Sequence, residues 1–527
     1  MTQRPDDAIS HGWYRRTQPP NEQHNRHQAW PLSGEVPPGL LRRHGARVSP
    51  ATDDASAGST VYRTEILLVP SQLLQARPDL LDTAPGVDGA LNRHLAQAGW
   101  YVESEAPTGS AQIVTRLRVR SRSARPDQGG PGGPNVVSPP DAYHALRLLR
   151  QATAGGADAA AVAQISLDHL LFAISTIGGL PITEGHGDGA RVPVAVLASP
   201  PRRRPLAEVP GGRRPVVVVL DTGIGTHPWL NPTGDPQDHF WVDATPSWHP
   251  HWEDLVGPEP EDDGISKPLV GTLDSHAGHG TFIAGLIRQI APDASMLSLH
   301  VMYGDGVIHE SDAINALGWL HHRVSTGGPA EFVDVICLSF GYYEETPADE
   351  TVTSAFAEVL ADLGNLGIRV VAAGGNHATE RETYPAALTR AGNLPAIPLV
   401  SVGALNPNKT TAYFSNQALW ITDWEVGNAL LSTMPPFNGA LEPEYRIPPA
   451  PTNGKVRESL DPDNFKGGFA IWSGTSFAAA AFAAKLAQAL VTHLEGANDH
   501  TSLLTVTPSV AILRANTALT DCRPPQS

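Results

Sequence analysis

The sequence predicts an α/β fold with a mostly parallel central sheet flanked by helices, preceded by a smaller α+β region. Three observations predict it. Residues 216–220 and 368–373 are short, apolar, β-branched runs, the pattern of strands buried on both faces of a parallel sheet. Each is followed closely by glycines, Gly223 and Gly225 in one case and Gly374 and Gly375 in the other, so each can leave the sheet through a sharp turn. Residues 282–290 carry Phe282, Ile283, Leu286, Ile287 and Ile290 at helical spacing, and 477–490 is an alanine-rich stretch apolar on nearly every face, as in a buried helix.

In chain order, residues 1–58 are polar, with Pro19, Pro20, Pro37 and Pro38 and no lasting periodicity, the composition of a disordered tail. Residues 61–69 read as a strand. Val87, Leu91, Leu95 and Ala98 mark one helix face, and 101–103 a short strand. Ile113, Thr115, Leu117 and Val119 alternate with Val114, Arg116, Arg118 and Arg120 as in a half-exposed strand. After a Gly/Pro-rich loop over 126–140, Asp141 is placed to cap a helix bearing Ala145, Leu148 and Leu149, and Ser166 opens another reaching Ile174. Residues 192–197 supply a last strand. The order strand, helix, strand, strand, helix, strand is that of a ferredoxin-like unit with one extra helix, which sets an accessory domain over 59–200. Arg202, Arg203, Arg204, Arg213 and Arg214 then read as part of an exposed, solvated linker over 201–214, with the main domain at 215–520.

Within that main domain four segments supply chemistry. Asp221 stands at the carboxyl end of the 216–220 strand, where open α/β sheets place their ligand sites. His279 lies between Gly278 and Gly280 at a helix start, Asn376 follows Gly374 and Gly375, and Ser476 follows Gly474 and Thr475 at the head of the alanine-rich helix. A serine hydroxyl needs an imidazole to take its proton, and the imidazole needs a carboxylate to fix its tautomer. A tetrahedral oxyanion needs preorganised donors, and the Asn376 amide and a free N–H at the start of the Ser476 helix are of that kind. The set Asp221, His279, Ser476 and Asn376 is what acyl transfer to water requires.

The segments DTGI at Asp221, HGTFIAG at His279, AAGGN at Asn376 and GTSFA at Ser476 resemble, in kind and order, the signatures of subtilisin-like serine peptidases, the subtilases. Weaker likenesses lie between them: 333–341 (VDVICLSFG), YPAAL from Tyr384, LVSVGAL from Leu399 and AYFSN from Ala412. The resemblance covers roughly residues 212–492 and implies a subtilisin-like fold and serine endopeptidase activity. It implies Leu338, Ser339, Phe340, Gly341, Gly374 and Gly375 as substrate-binding residues, polypeptide as the partner, and no cofactor for the chemistry. Structural calcium occurs in many subtilases, but no calcium loop is legible here. The chain departs from the family pattern at Ala480, where proline is usual, at Phe282, where a second histidine is common, and over 339–342, SFGY in place of SLGG. Subtilase propeptides share the ferredoxin-like order and act as folding chaperones and inhibitors, which makes the 59–200 region propeptide-like. Two other functions use the same residues, a catalytically silent peptide-binding pseudopeptidase and a serine hydrolase acting on esters. The edge segment at Leu338 to Gly341 favours polypeptides over esters.

His239, Trp241, Asp243, Trp248, His249, His251, Trp252 and Asp254 form a segment that reads as a packed aromatic loop near the cleft. It has no defined metal-ligand spacing, and the acidic residues from Glu259 to Asp263 read as a solvated turn. A net charge of −17 argues against nucleic acid as the main partner. The first residues contain no apolar core of secretory-signal length. No run approaches the roughly twenty apolar residues of a membrane span, and Lys485 interrupts the nearest, 477–490. Cys337 and Cys522 are the only cysteines, so a disulfide framework is absent and a cytoplasmic location is expected, against the exported habit of most subtilases.

Overall fold

The computed structural model describes residues 36–49, 59–82, 86–105, 112–122, 139–173, 191–196, 199–209, 212–230, 239–245, 265–267, 272–344, 355–390, 399–437, 446–447, 454–455, 457–458 and 465–496. Part of the expected tail is folded. Helix α1 (Pro38–Arg43) leads into β1 (Ala46–Val48), which pairs antiparallel with β2 (Val61–Pro70). Val36, Leu40, Leu41, Ala46 and Val48 cluster with Val61, Leu170 and Val307. So short a segment carries too few apolar residues for periodicity to register, and its partners lie far along the chain.

The chain continues through α2 (Ser71–Ala76), α3 (Ala90–Leu95), β3 (Trp100–Ser104), β4 (Val114–Ser121), α4 (Ala142–Thr153), α5 (Ala159–Val162) and β5 (Ser166–Ala173). Strands β5, β2, β4 and β3 lie side by side in that order, every pair antiparallel. This is the arrangement of a split βαβ unit. Leu91, Leu95, Leu146 and Leu149 from the helices pack on Leu67, Leu117, Val119 and Leu167 from the strands, and Asp141 caps α4 by accepting from the His144 N–H at 3.0 Å.

Three readings of this region are corrected. Residues 166–173 form a strand, not a helix: Leu167 to Leu171 are all buried, and a run buried on both faces has no alternation by which to recognise it. Val87 precedes α3 and is 53% exposed rather than part of its apolar face. Residues 192–197 do not close this sheet; β6 (Val192–Pro193) instead pairs with a main-domain strand.

The arginine-rich linker is not simply solvated either. Arg204 Nε donates to Asp293 Oδ2 at 2.7 Å and Arg213 forks onto Asp334 at 2.7 and 2.9 Å. Arg214 is buried with its Nη1 on the Asp293 carbonyl, and Arg203 Nη1 donates to the Pro292 carbonyl at 2.9 Å. Guanidinium forks suit such bidentate, part-buried pairing. They staple the linker to the main domain.

The main domain comprises β7 (Val216–Asp221), β8 (Trp241–Asp243), β9 (Ile265–Lys267), β10 (Thr272–Leu273), α6 (His279–Ile290), β11 (Ser295–His300), β12 (Val307–His309), α7 (Glu310–Thr326), β13 (Val335–Leu338), β14 (Phe340–Gly341), α8 (Ala355–Asn365), β15 (Arg369–Ala373), β16 (Leu399–Leu405), β17 (Asp423–Val426), β18 (Leu430–Thr433), β19 (Arg446–Ile447), β20 (Arg457–Glu458), β21 (Phe469–Trp472) and α9 (Thr475–Gly496). Seven strands form the central sheet in the order β17, β16, β15, β13, β7, β11, β8, all parallel. Val217 and Val219 of β7 face the apolar cluster that holds α6 and α9, whereas Val218 and Leu220 face the cluster that holds α7 and α8. Burial of β7 on both faces explains its uninterrupted apolar run.

Helix α9 is long and apolar enough to cross a membrane, but 78% of its Thr475–Thr492 window is buried in the protein, as expected of a core helix. Of the aromatic loop, residues 241–243 form the edge strand β8. Trp248, His249, His251, Trp252, Asp254 and the acidic run lie outside the described residues, as does Cys522.

Strand β5 joins the N-terminal sheet to the main domain. Its outer half pairs antiparallel with β12 (Val307 opposite Phe172, Ile308 opposite Leu171) and its last residues with β14 (Phe340 opposite Ala173). The N-terminal sheet is thereby extended by two main-domain strands.

Candidate active site

Because all seven central strands run the same way, their carboxyl ends lie along one edge of the sheet. Asp221 ends β7, Ser339 follows β13, and the loop bearing Asn376 follows β15. Helices α6 and α9 bring His279 and Ser476 to the same edge with their amino ends.

Asp221 is 1% exposed and its Oδ1 accepts from the Thr222 N–H at 2.9 Å and from His279 Nδ1 at 2.7 Å. A carboxylate can only accept, so Nδ1 carries the proton and Nε2 is left as the acceptor. That Nε2 is buried and without a hydrogen-bond partner among the described residues. The approach depends on Gly280: a Cβ there would stand 2.1 Å from the Gly223 carbonyl oxygen. The Gly280 N–H donates to Thr222 Oγ1 at 3.0 Å, tying the head of α6 to the end of β7.

Ser476, fully buried, is the second residue of α9. Its Oγ donates to the Ser339 carbonyl at 2.7 Å rather than to His279. The ring of the neighbouring Phe477 lies 5.2 Å from the His279 ring, so the two helix starts are adjacent. The Ser476 N–H belongs to the first turn of α9, where backbone donors lack intrahelical partners.

Asn376 is held by its oxygen. Oδ1 accepts from the Thr475 N–H and from Thr475 Oγ1, each at 3.0 Å, while Nδ2 is buried with no partner among the described residues. Thr475 Oγ1 in turn accepts from the Gly375 N–H at 3.0 Å. A free amide donor beside a helix amino end is equipped to stabilise a developing anion.

The substrate-binding residues expected from sequence border this cluster. Phe340 and Gly341 form β14, and Leu338 and Ser339 are buried just before it. Gly374 and Gly375 form the turn before Asn376, with Gly375 at φ +105°. The departures from the family pattern are absorbed by packing: Phe282 lies 4.5 Å from Phe477 and 5.8 Å from Trp472, ring to ring, and Ala480 is fully buried. Among the described residues no group of three or more His, Cys, Asp or Glu is disposed to hold a metal ion.

The subtilase family model matches residues 212–517, more than half of the chain, and the four motif residues all fall inside the match. The chain belongs to the subtilase family. Similar proteins include subtilisin BL of Lederbergia lenta, 26% identical over 228 residues, which span 42% of this subtilase and 66% of the relative. An alkaline protease of Alkalihalobacillus alcalophilus and the M-protease of Shouchella clausii strain KSM-K16 are each 26% identical over 228 residues, 42% of this chain and 47% of theirs. This subtilase thus spans just under two thirds of the first relative and about half of the other two.

Three contributors escaped the sequence. Thr475 was visible only as part of GTS, with no sign that it orients Asn376. The Ser339 carbonyl is a backbone group and leaves no residue signature. The third is a pair of distant segments packed near the site. Ala173 at the end of β5 donates its N–H to the Gly306 carbonyl at 2.7 Å. Arg191 Nη2 donates to the Asp274 carbonyl at 2.9 Å and its guanidinium lies 5.2 Å from the Trp472 ring centre, itself 5.5 Å from that of His279. Neither segment carries a motif.

Proposed function

We propose that this subtilase is a serine endopeptidase using Asp221, His279 and Ser476, with Asn376 as oxyanion donor. The observation that carries the reading is the 2.7 Å Asp221 to His279 bond, which leaves a buried, unpartnered Nε2 beside the head of the Ser476 helix. In the reaction Ser476 Oγ leaves the Ser339 carbonyl and attacks the peptide carbonyl as its proton passes to His279 Nε2. Asp221 stabilises the imidazolium and holds its orientation. The tetrahedral oxyanion accepts from Asn376 Nδ2 and the Ser476 N–H. His279 then protonates the departing amine, and water releases the acyl group by the same steps in reverse. Polypeptide is favoured as substrate because β14 already pairs with an extended strand of the chain itself.

The N-terminal α+β unit acts in this reading as a propeptide-like inhibitor. Its support is the placement of β5 between main-domain strands β12 and β14 together with full burial of Ser476 and His279. A fluorophosphonate probe is expected to label the wild-type chain slowly and Ser476→Ala not at all. Casein hydrolysis should vanish in Ser476→Ala with folding unchanged, since loss of the nucleophile in subtilisin, a relative, lowers kcat by about two-million-fold. Absence of labelling even on long exposure would favour a peptide-binding pseudopeptidase. Labelling with hydrolysis of a simple ester but not of casein would favour an esterase.

A further inference from the structure

The loop that carries Asn376 is wrapped around one side chain from the AYFSN segment. Asn416 is fully buried. Its Nδ2 donates to the Gly374 carbonyl and to Thr383 Oγ1, each at 3.0 Å, and its Oδ1 accepts from the N–H groups of His377 at 2.9 Å and Thr379 at 3.3 Å. Its own backbone N–H donates to the Gly375 carbonyl at 2.9 Å. The carboxamide thus uses both hydrogens and both lone pairs, and Gly374, Gly375, His377 and Thr379 are each tied to Asn416.

Asn376 is the residue between these anchors that turns away, toward Thr475. The fit around the clamp is close: a Cβ on Gly375 would stand 2.0 Å from Asn416 Nδ2. We propose that Asn416 is a positioning residue for the oxyanion donor, holding the 374–379 loop so that the Nδ2 of Asn376 points at the developing anion. Thr475 sets which way the Asn376 amide faces, and Asn416 sets where its backbone stands. A donor fixed in advance needs no reorganisation when charge develops, and displacement of about 1 Å is enough to forfeit much of the benefit.

The inference rests on the peptidase reading, and the two fail differently. Rates are measured on the full chain with a peptide substrate, normalised to active sites titrated with a fluorophosphonate. The variants are Asn416→Ala, Asn416→Asp and Asn416→Ser, alone and combined with Asn376→Ala. Asn416→Asp retains the acceptor contacts to His377 and Thr379 while losing the donor to Gly374.

Each Asn416 variant is expected to lower kcat by about 10- to 100-fold with KM within about 2-fold, and to weaken a peptidyl boronic acid, whose adduct is tetrahedral and anionic, in parallel. In the Asn376→Ala background the same changes should alter kcat by less than about 3-fold, since the donor they position is gone. Equal losses in both backgrounds, or a loss confined to KM, would overturn the proposal and leave Asn416 a structural residue. An unlabelled, inert wild type would instead remove the peptidase reading beneath it.

Discussion

Gly375 and Asn376 show how narrowly the site is drawn at the scale of single residues. Gly375 has φ +105°, and any side chain there would meet Asn416 Nδ2. Gly375→Ala combines left-handed strain with overpacking and is expected to cost about 2–4 kcal/mol, read as a lower urea midpoint at unchanged slope. An unchanged midpoint would mean that the loop has room the structure does not show. Asn376→Ala gives up the two bonds that Oδ1 accepts from Thr475, at an expected cost of about 1–3 kcal/mol with the fold retained, yet kcat should fall by about 100- to 1,000-fold. The two substitutions separate a residue that the fold needs from one that the reaction needs.

Among the elements, β5 and α7 bind the two units together through a buried carboxylate. Asp168, fully buried on β5, accepts from the Ser311 N–H at 3.0 Å and Ser311 Oγ at 3.2 Å, so it serves the amino end of α7 from a distant part of the chain. Its Oδ2 also accepts from Arg63 Nη1 at 3.0 Å. Next to it His169 Nδ1 meets Glu310 Oε2 at 2.6 Å. Asp168→Ala strands the Arg63 guanidinium and the helix end together, at an expected cost of about 3–5 kcal/mol. If the N-terminal unit inhibits as proposed, the variant should also shorten the half-time of fluorophosphonate labelling at Ser476, since β5 pairs with β14, which directly follows Ser339. Lower stability with unaltered labelling would separate docking of β5 from closure of the site.

For the whole molecule, stability should depend on acidity through His276. This imidazole is 2% exposed, and burial, aided by the positive charge that His279 and Arg191 would place beside it, pushes it down to about 3. In the unfolded chain it titrates near 6.5, so between these values the unfolded state takes up a proton that the folded state excludes. Stability therefore falls as pH drops below about 6.5, by roughly 2 kcal/mol from this group between pH 7 and 5. Urea midpoints at the two pH values should differ less in His276→Asn than in the wild type. An identical difference would place the acid sensitivity in other groups.

The sequence alone determined the strands over 216–220 and 368–373, the two site helices and the four residues proposed for chemistry. Each is specified locally: a doubly buried strand must be continuously apolar, and a tight exit must be glycine, as at β7 with Gly223 and β15 with Gly375. The tertiary structure decided that Leu167 to Leu171 form a strand joining β2 to main-domain strand β12, that Arg204 and Arg213 pin the linker, and that Asn416 carries the Asn376 loop. In all three the partner lies far away in the chain. Long-range pairing leaves little periodicity in either segment, because the pattern that would reveal it is completed only when the two surfaces meet.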